Sequence, residues 1–91
     1  MTREDVFRAI DSERDYQELA KQDSTRPDIL EEFHAGDTLA AIQYNLNKAL
    51  DAWYKEPAPY NNSLVYLRKI AGLTVQLGEK YGMPERELQT I

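Results

Sequence analysis

The chain has 91 residues, no cysteine, 30% charged side chains and a net charge of −5. That length is near the lower limit for a self-sufficient hydrophobic core, so association with further copies of itself is expected. The missing cysteines exclude a disulfide framework, a thiolate metal site and a cysteine nucleophile.

Charge is unevenly distributed. Residues 1–40 carry eleven acids and five bases, whereas residues 41–91 carry five acids and six bases. Duplex nucleic acid is held mostly by Lys and Arg that neutralise many phosphates, so an acidic chain points away from a duplex partner. A small phosphorylated ligand needs only two or three cations. Lys48, Lys55, Arg68 and Lys69 supply such a group, unless they form an ordinary solvated face. The first twenty residues are too charged for a secretory leader, and no apolar run is long enough to span a bilayer. A cytoplasmic protein with no membrane partner is therefore expected.

In chain order, Thr2 followed by Asp5 has the form of a capping box, and it predicts a first helix over about 3–22. Its apolar stripe runs through Val6, Ala9, Ile10, Tyr16 and Ala20, with Leu19 at the edge. Glu13 interrupts that stripe. Its carboxylate must snorkel to the rim, pair with Arg14 or another chain, or belong to a polar pocket. DSTRPD (23–28) reads as a loop. A short helix over about 28–34 follows, ended by Gly36, with the single histidine, His34, near its end.

Asp37 or Thr38 then caps a second helix over about 38–55. Leu39, Ile42, Leu46, Ala49, Leu50 and Trp53 share one arc of it and read as the core face. On the other side Ala41, Asn45, Lys48 and Ala52 form a stripe of small and polar groups, open to a partner helix, a ligand or water. EPAPYNN (56–62) is a proline elbow. A third helix is expected over about 63–81, closed by Gly82, with residues 83–91 as a tail. Its wide apolar arc, from Leu64 to Tyr81, suits two neighbours: the second helix and another subunit. Gly72 and Gly78 each cost about 1 kcal/mol in a helix interior, so a close backbone contact would account for them. The expected architecture is a single all-α domain over 1–91. Helices two and three form an antiparallel pair, and the chain assembles into a homo-oligomeric bundle.

The chemistry is narrowed by what is missing. One histidine and no nucleophile elbow disfavour a triad, the four glycines form no phosphate loop, and zinc lacks ligands. Carboxylate-held hard metals and ligand capture by aromatic and basic side chains remain.

The ERDYQ run (13–17) and the tract KALDAWYKEPAPYNNSLVYLRKIAGLTVQLGEKYGMPERE resemble small proteins of tailed bacteriophages and prophages over most of the chain. The helical layout is similar to the MazG-like all-α nucleotide pyrophosphohydrolases. In those enzymes E-x-x-E and E-x-x-D pairs on two helices hold Mg²⁺ against a nucleotide's phosphates. The resemblance would put these pairs near Asn45 and Lys48, and near Arg68 and Ala71, none of which is acidic. A fixed cation there opposes a bound dication and offsets phosphate directly. The expectation is therefore a binder with no metal, no cofactor and no catalytic residue. Its ligand is nucleotide-derived, a cyclic nucleotide or an ADP-ribose type, held by Glu13, Arg14, Tyr16, Asn45, Lys48, Tyr54, Tyr60, Arg68 and Lys69. In a phage setting this is a sponge for a host immune signal, acting in the host cytoplasm. A divergent Mg-dependent pyrophosphohydrolase using Glu13, Glu31, Glu32 and Asp51, and a module that binds a host protein, are the alternatives.

Overall fold

The computed structural model describes residues 1–22, 35–55 and 60–87, with side chains at 1–20, 36–55 and 62–87. The short helix expected over 28–34, the elbow residues 56–59, and Glu31, Glu32 and His34 lie outside that set. Three helices make up the described chain: α1 (Arg3–Gln22), α2 (Ala35–Lys55) and α3 (Tyr60–Tyr81). The all-α expectation holds, with α2 and α3 packed as an extensive pair. None of these helices is long and apolar enough to cross a membrane.

Local chemistry accounts for the ends. The Thr2 hydroxyl accepts from the Asp5 N–H at 3.1 Å, and the Asp5 carboxylate accepts from the Thr2 N–H at 3.0 Å, a reciprocal capping box. At the other extreme Gly82 adopts a φ of 87° and its N–H donates to Gly78 O at 2.8 Å. That left-handed turn closes α3 and is cheap only for glycine.

Two starts differ from expectation. Helix α2 begins at Ala35 and takes Gly36 into its first turn, where Asp37 interacts favourably with the helix dipole. Helix α3 begins at Tyr60, three residues before Ser63. Ser63 is consequently inside the helix and buried, and its hydroxyl donates to Ala49 O of α2 at 3.0 Å.

Helix α3 is the middle element. It packs against both other helices, while α1 and α2 do not touch one another. Within the chain α3 therefore has two neighbours, α2 and α1.

The inward face of α2 also differs from expectation. Thr38, Ala49 and Ala52 are the buried residues of this helix, flanked by the half-buried Ala41 and Asn45. Leu39, Leu46, Leu50 and Trp53 are instead 58, 45, 49 and 49% exposed. Of the expected core stripe, Ala49 alone is buried and Ile42 is half-buried. The reason is proximity: small side chains let two helix backbones approach, as the bond from Ser63 to a main-chain carbonyl requires, and a leucine on that line would hold them apart. The small stripe, not the leucine stripe, meets α3.

Candidate functional site

Where α1 crosses α3, a group of polar side chains meets beside an apolar stretch of the same two helices. Gly72 makes it possible. A Cβ at that position would lie 2.8 Å from both amide atoms of Gln17 and 2.9 Å from Glu13 Cγ, closer than atoms tolerate. The expected close contact at Gly72 is therefore found, with α1 as the neighbour. Gly78 has Met83 Cε 3.2 Å from the place its Cβ would take.

Over this gap Gln17 is satisfied at both ends. Its Nε2 donates to Lys69 O at 3.3 Å, and its Oε1 accepts from Gln76 Nε2 at 2.6 Å. Glu13 is only 5% exposed, and its Oε1 accepts from Arg68 Nε at 3.0 Å. Of the open readings for this acid, pairing and burial hold, with Arg68 as the partner rather than Arg14. A carboxylate out of water requires such a counter-charge.

Arg14 turns to the far end of the crossing and forms a two-pronged bond with Glu79, Nε and Nη2 each 2.8 Å from a carboxylate oxygen. This bond raises its already high pKa further, against desolvation that lowers it. Its Nη1 is 2.9 Å from Glu18 Oε2, near enough for charge attraction. The angle is wrong for a hydrogen bond, so that buried nitrogen has no acceptor.

The remaining expected site residues do not converge on this crossing. Lys48 Nζ sits 5.4 Å from the ring centre of Tyr44, and Lys69 Nζ 5.5 Å from that of Tyr66. Each is an exposed cation over an aromatic face of its own helix. Asn45 spends Nδ2 on Ala41 O at 2.8 Å, a bond within α2. Tyr54 and Tyr16 are exposed. The side chain of Tyr60 lies outside the described residues. Asp51 pairs with Lys55 at 3.6 Å on the surface of α2. Gln17, Gln76 and Glu79, absent from the expected set, complete the crossing. Gln17 stands one turn beyond Glu13 on α1, so its position was readable, but its partners were not.

Beside the crossing runs a groove between the N-terminal halves of α1 and α3, with a volume of about 640 Å³. Val6, Ala9, Ile10, Leu64, Leu67 and Ala71 make its walls, and among the described lining residues Arg68 contributes a charged side chain. Arg68 is 43% exposed in its side chain, and among the described residues its ion-pair partner is Glu13. That pairing uses Nε, and the guanidinium carries further donors on its two terminal nitrogens. No group of three or more His, Cys, Asp or Glu side chains with metal-binding geometry occurs among the described residues.

Comparison of the chain with protein-family models, with curated proteins and with solved structures found no match.

Proposed function

We propose that the chain captures a nucleotide-derived anion in the groove between α1 and α3 and releases it unchanged. The ligand class is a cyclic nucleotide or an ADP-ribose derivative. In the phage setting suggested by the sequence resemblance, the protein is a sponge that withdraws a host immune signal.

The observation that supports this reading is Arg68. A buried carboxylate fixes one side of its guanidinium, so the fork of terminal nitrogens is aimed rather than free to wander, and a phosphate oxygen can accept from it in a bidentate manner. The walls beside it are apolar, and the volume falls within the ordinary range for small-molecule sites, about 300–1,000 Å³.

The same pair also narrows the ligand. Glu13 already offsets the charge of Arg68, so the pair offers directed donors with little net positive field. Affinity must then come mainly from the apolar walls. That favours a ligand with a flat base and one or two phosphodiester groups over a triphosphate, whose charge would go unanswered.

The test is to incubate the purified protein with cyclic dinucleotide, with ADP-ribose and with ATP, then heat it and identify the released molecule by mass spectrometry. Intact cyclic nucleotide or ADP-ribose, together with a raised Tm, supports capture. The Arg68→Lys variant keeps a charge for Glu13 but loses the fork, and it is expected to bind at least about tenfold more weakly. Pyrophosphate released from ATP in the presence of Mg²⁺ would establish the enzyme alternative. Absence of any bound nucleotide, with no Tm change, would remove the reading.

A further inference from the structure

A helix is normally fixed in a fold by the apolar face it buries. Helix α1 has little of this. Among its described side chains Glu13 is the one that is buried, Ala9 and Ile10 are half-buried, and Val6, Phe7, Tyr16 and Leu19 are all at least 45% exposed. Among the described residues its polar hold on α3 comes from Glu13, Arg14 and Gln17, which bond to Arg68, to Glu79, and to Gln76 with the main-chain carbonyl of Lys69. Helices α1 and α2 do not touch.

Two features keep that hold near balance. Bonds of this kind replace bonds to water, so each nets little, and salt screens the pair of Arg14 and Glu79 because the Glu79 side chain is 52% exposed. In the docked arrangement Arg14 Nη1 is also buried without an acceptor, a cost that a hydrated side chain would not carry.

The groove is divided between the same two helices. Val6, Ala9 and Ile10 form its wall on α1, and Leu64, Leu67 and Ala71 form the wall on α3. Arg14, Gln17 and Glu79 do not line it. Ile10 and Arg14 are only about 6 Å apart along the helix axis, so a rigid helix carries the position of the polar clasp to the apolar wall.

From these observations we infer that α1 docks on α3 and leaves it as a unit while the α2–α3 seam stays closed, and that Arg14, Gln17 and Glu79 are positioning residues that govern this step. When α1 leaves, the groove loses a wall and Arg68 loses the carboxylate that fixes it. Arg14 thus acts on the groove through α1, not by touching what lies in it. A ligand spanning both walls binds the docked state alone and stabilises it by linkage. That consequence rests on the groove being the ligand site, as proposed above; the docking step does not.

Hydrogen exchange on the full chain, read by mass spectrometry, is the test. In the free protein the amides of α1 are expected to exchange as a block, faster than those at the α2–α3 seam. Arg14→Gln and, separately, Gln17→Ala should quicken α1 by about tenfold and leave the seam unchanged, with Arg14→Lys recovering part of the loss. Arg8→Gln breaks an exposed pair on the same helix and should alter α1 by less than about twofold. Cyclic diadenosine monophosphate and ADP-ribose are then added in turn. Protection of α1 by about a hundredfold at about 100 times the Kd, with the seam unchanged, supports both the docking step and its linkage. Selective quickening of α1 in the variants, with neither compound binding, supports the docking step and removes the nucleotide reading. Exchange at one common rate in all three helices, shifted uniformly by the variants, overturns the inference, even where a compound raises the Tm and the capture reading stands. The wild-type pattern decides by itself where a variant does not fold.

Discussion

Helix α3 has two flanks made of opposite materials. Toward α2 the seam consists of small groups, Ala49, Ala52, Thr38 and Ser63, drawn close enough for a serine hydroxyl to reach a main-chain carbonyl. Toward α1 an apolar groove gives way to charges and amides, Glu13 on Arg68, Gln17 on Gln76, and Arg14 on Glu79. Both flanks depend on removing bulk from a helix face, by alanines in one and by Gly72 in the other. They differ in what the closeness accomplishes. On the α2 flank it allows backbone packing that is tolerant of solvent conditions. On the α1 flank it brings together groups that must all be satisfied at once, because an unpaired buried charge is costly.

The largest effect should follow from adding bulk to the small seam. Ala49→Leu forces an isobutyl group between two backbones in contact, and overpacking of this kind costs about 3 kcal/mol. For a chain of this length that corresponds to a Tm lower by about 12–20 °C, readable by circular dichroism. An unchanged Tm would show that the two helices separate easily and that the seam is loose.

Next comes the ionic flank. Arg68→Met leaves Glu13 without its counter-ion. Complete burial of both partners would make that loss about 3–5 kcal/mol. Arg68 is partly exposed, and solvent screening reduces the expected cost to about 2 kcal/mol. Pairing it with Glu13→Gln in a double-mutant cycle should recover part of the loss, since the stranded charge is then absent. Strict additivity would mean that the pair is electrostatically idle.

Gly72→Ala sharpens the contrast because its two consequences oppose each other. Alanine strengthens helix α3 by about 1 kcal/mol. Its Cβ meanwhile collides with Glu13 and Gln17 and displaces α1. Overall stability should change by no more than about 1 kcal/mol. Hydrogen exchange should quicken across α1 and stay slow at the α2 seam. Uniform protection in all three helices would contradict the placement of α1 on Gly72.

The smallest effect concerns the start of α1. Hydrogen bonds from the Thr2 backbone and hydroxyl hold the Asp5 carboxyl below its usual value of 3.8. A group whose pKa is lowered on folding contributes in full above its ordinary value, and that contribution fades as pH falls through the lowered one. The first turn should therefore fray slightly at acidic pH, seen as a small loss of helical signal below about pH 4. Asp5→Asn should remove that step, and a step that persists in this variant would assign it to another carboxyl.

How much of this was legible beforehand differs from element to element. The capping box of Thr2 and Asp5, the stop at Gly82 and the need for closeness at Gly72 could all be read from neighbouring residues. Each depends on interactions within a turn or on a single backbone position. On α2 hydrophobic periodicity points to the other face, because Leu39, Leu46, Leu50 and Trp53 form the stronger apolar stripe and periodicity weighs only apolarity. The partner of Glu13 could not be read either, since Arg68 is distant in sequence and reaches it only once α1 lies across Gly72. Arg68, Glu13 and Arg14 do belong to one crossing. Lys48, Asn45 and Tyr54 belong to α2, away from it.

By itself the sequence determined three helices, most of their ends, and the presence of two distinct stripes on α2, because helix formation and capping are decided by residues a few positions apart. Tertiary structure alone decided which stripe turns inward and which charges meet. Those choices depend on how near two backbones can come, and closeness is a property of both surfaces together, which no single helix contains.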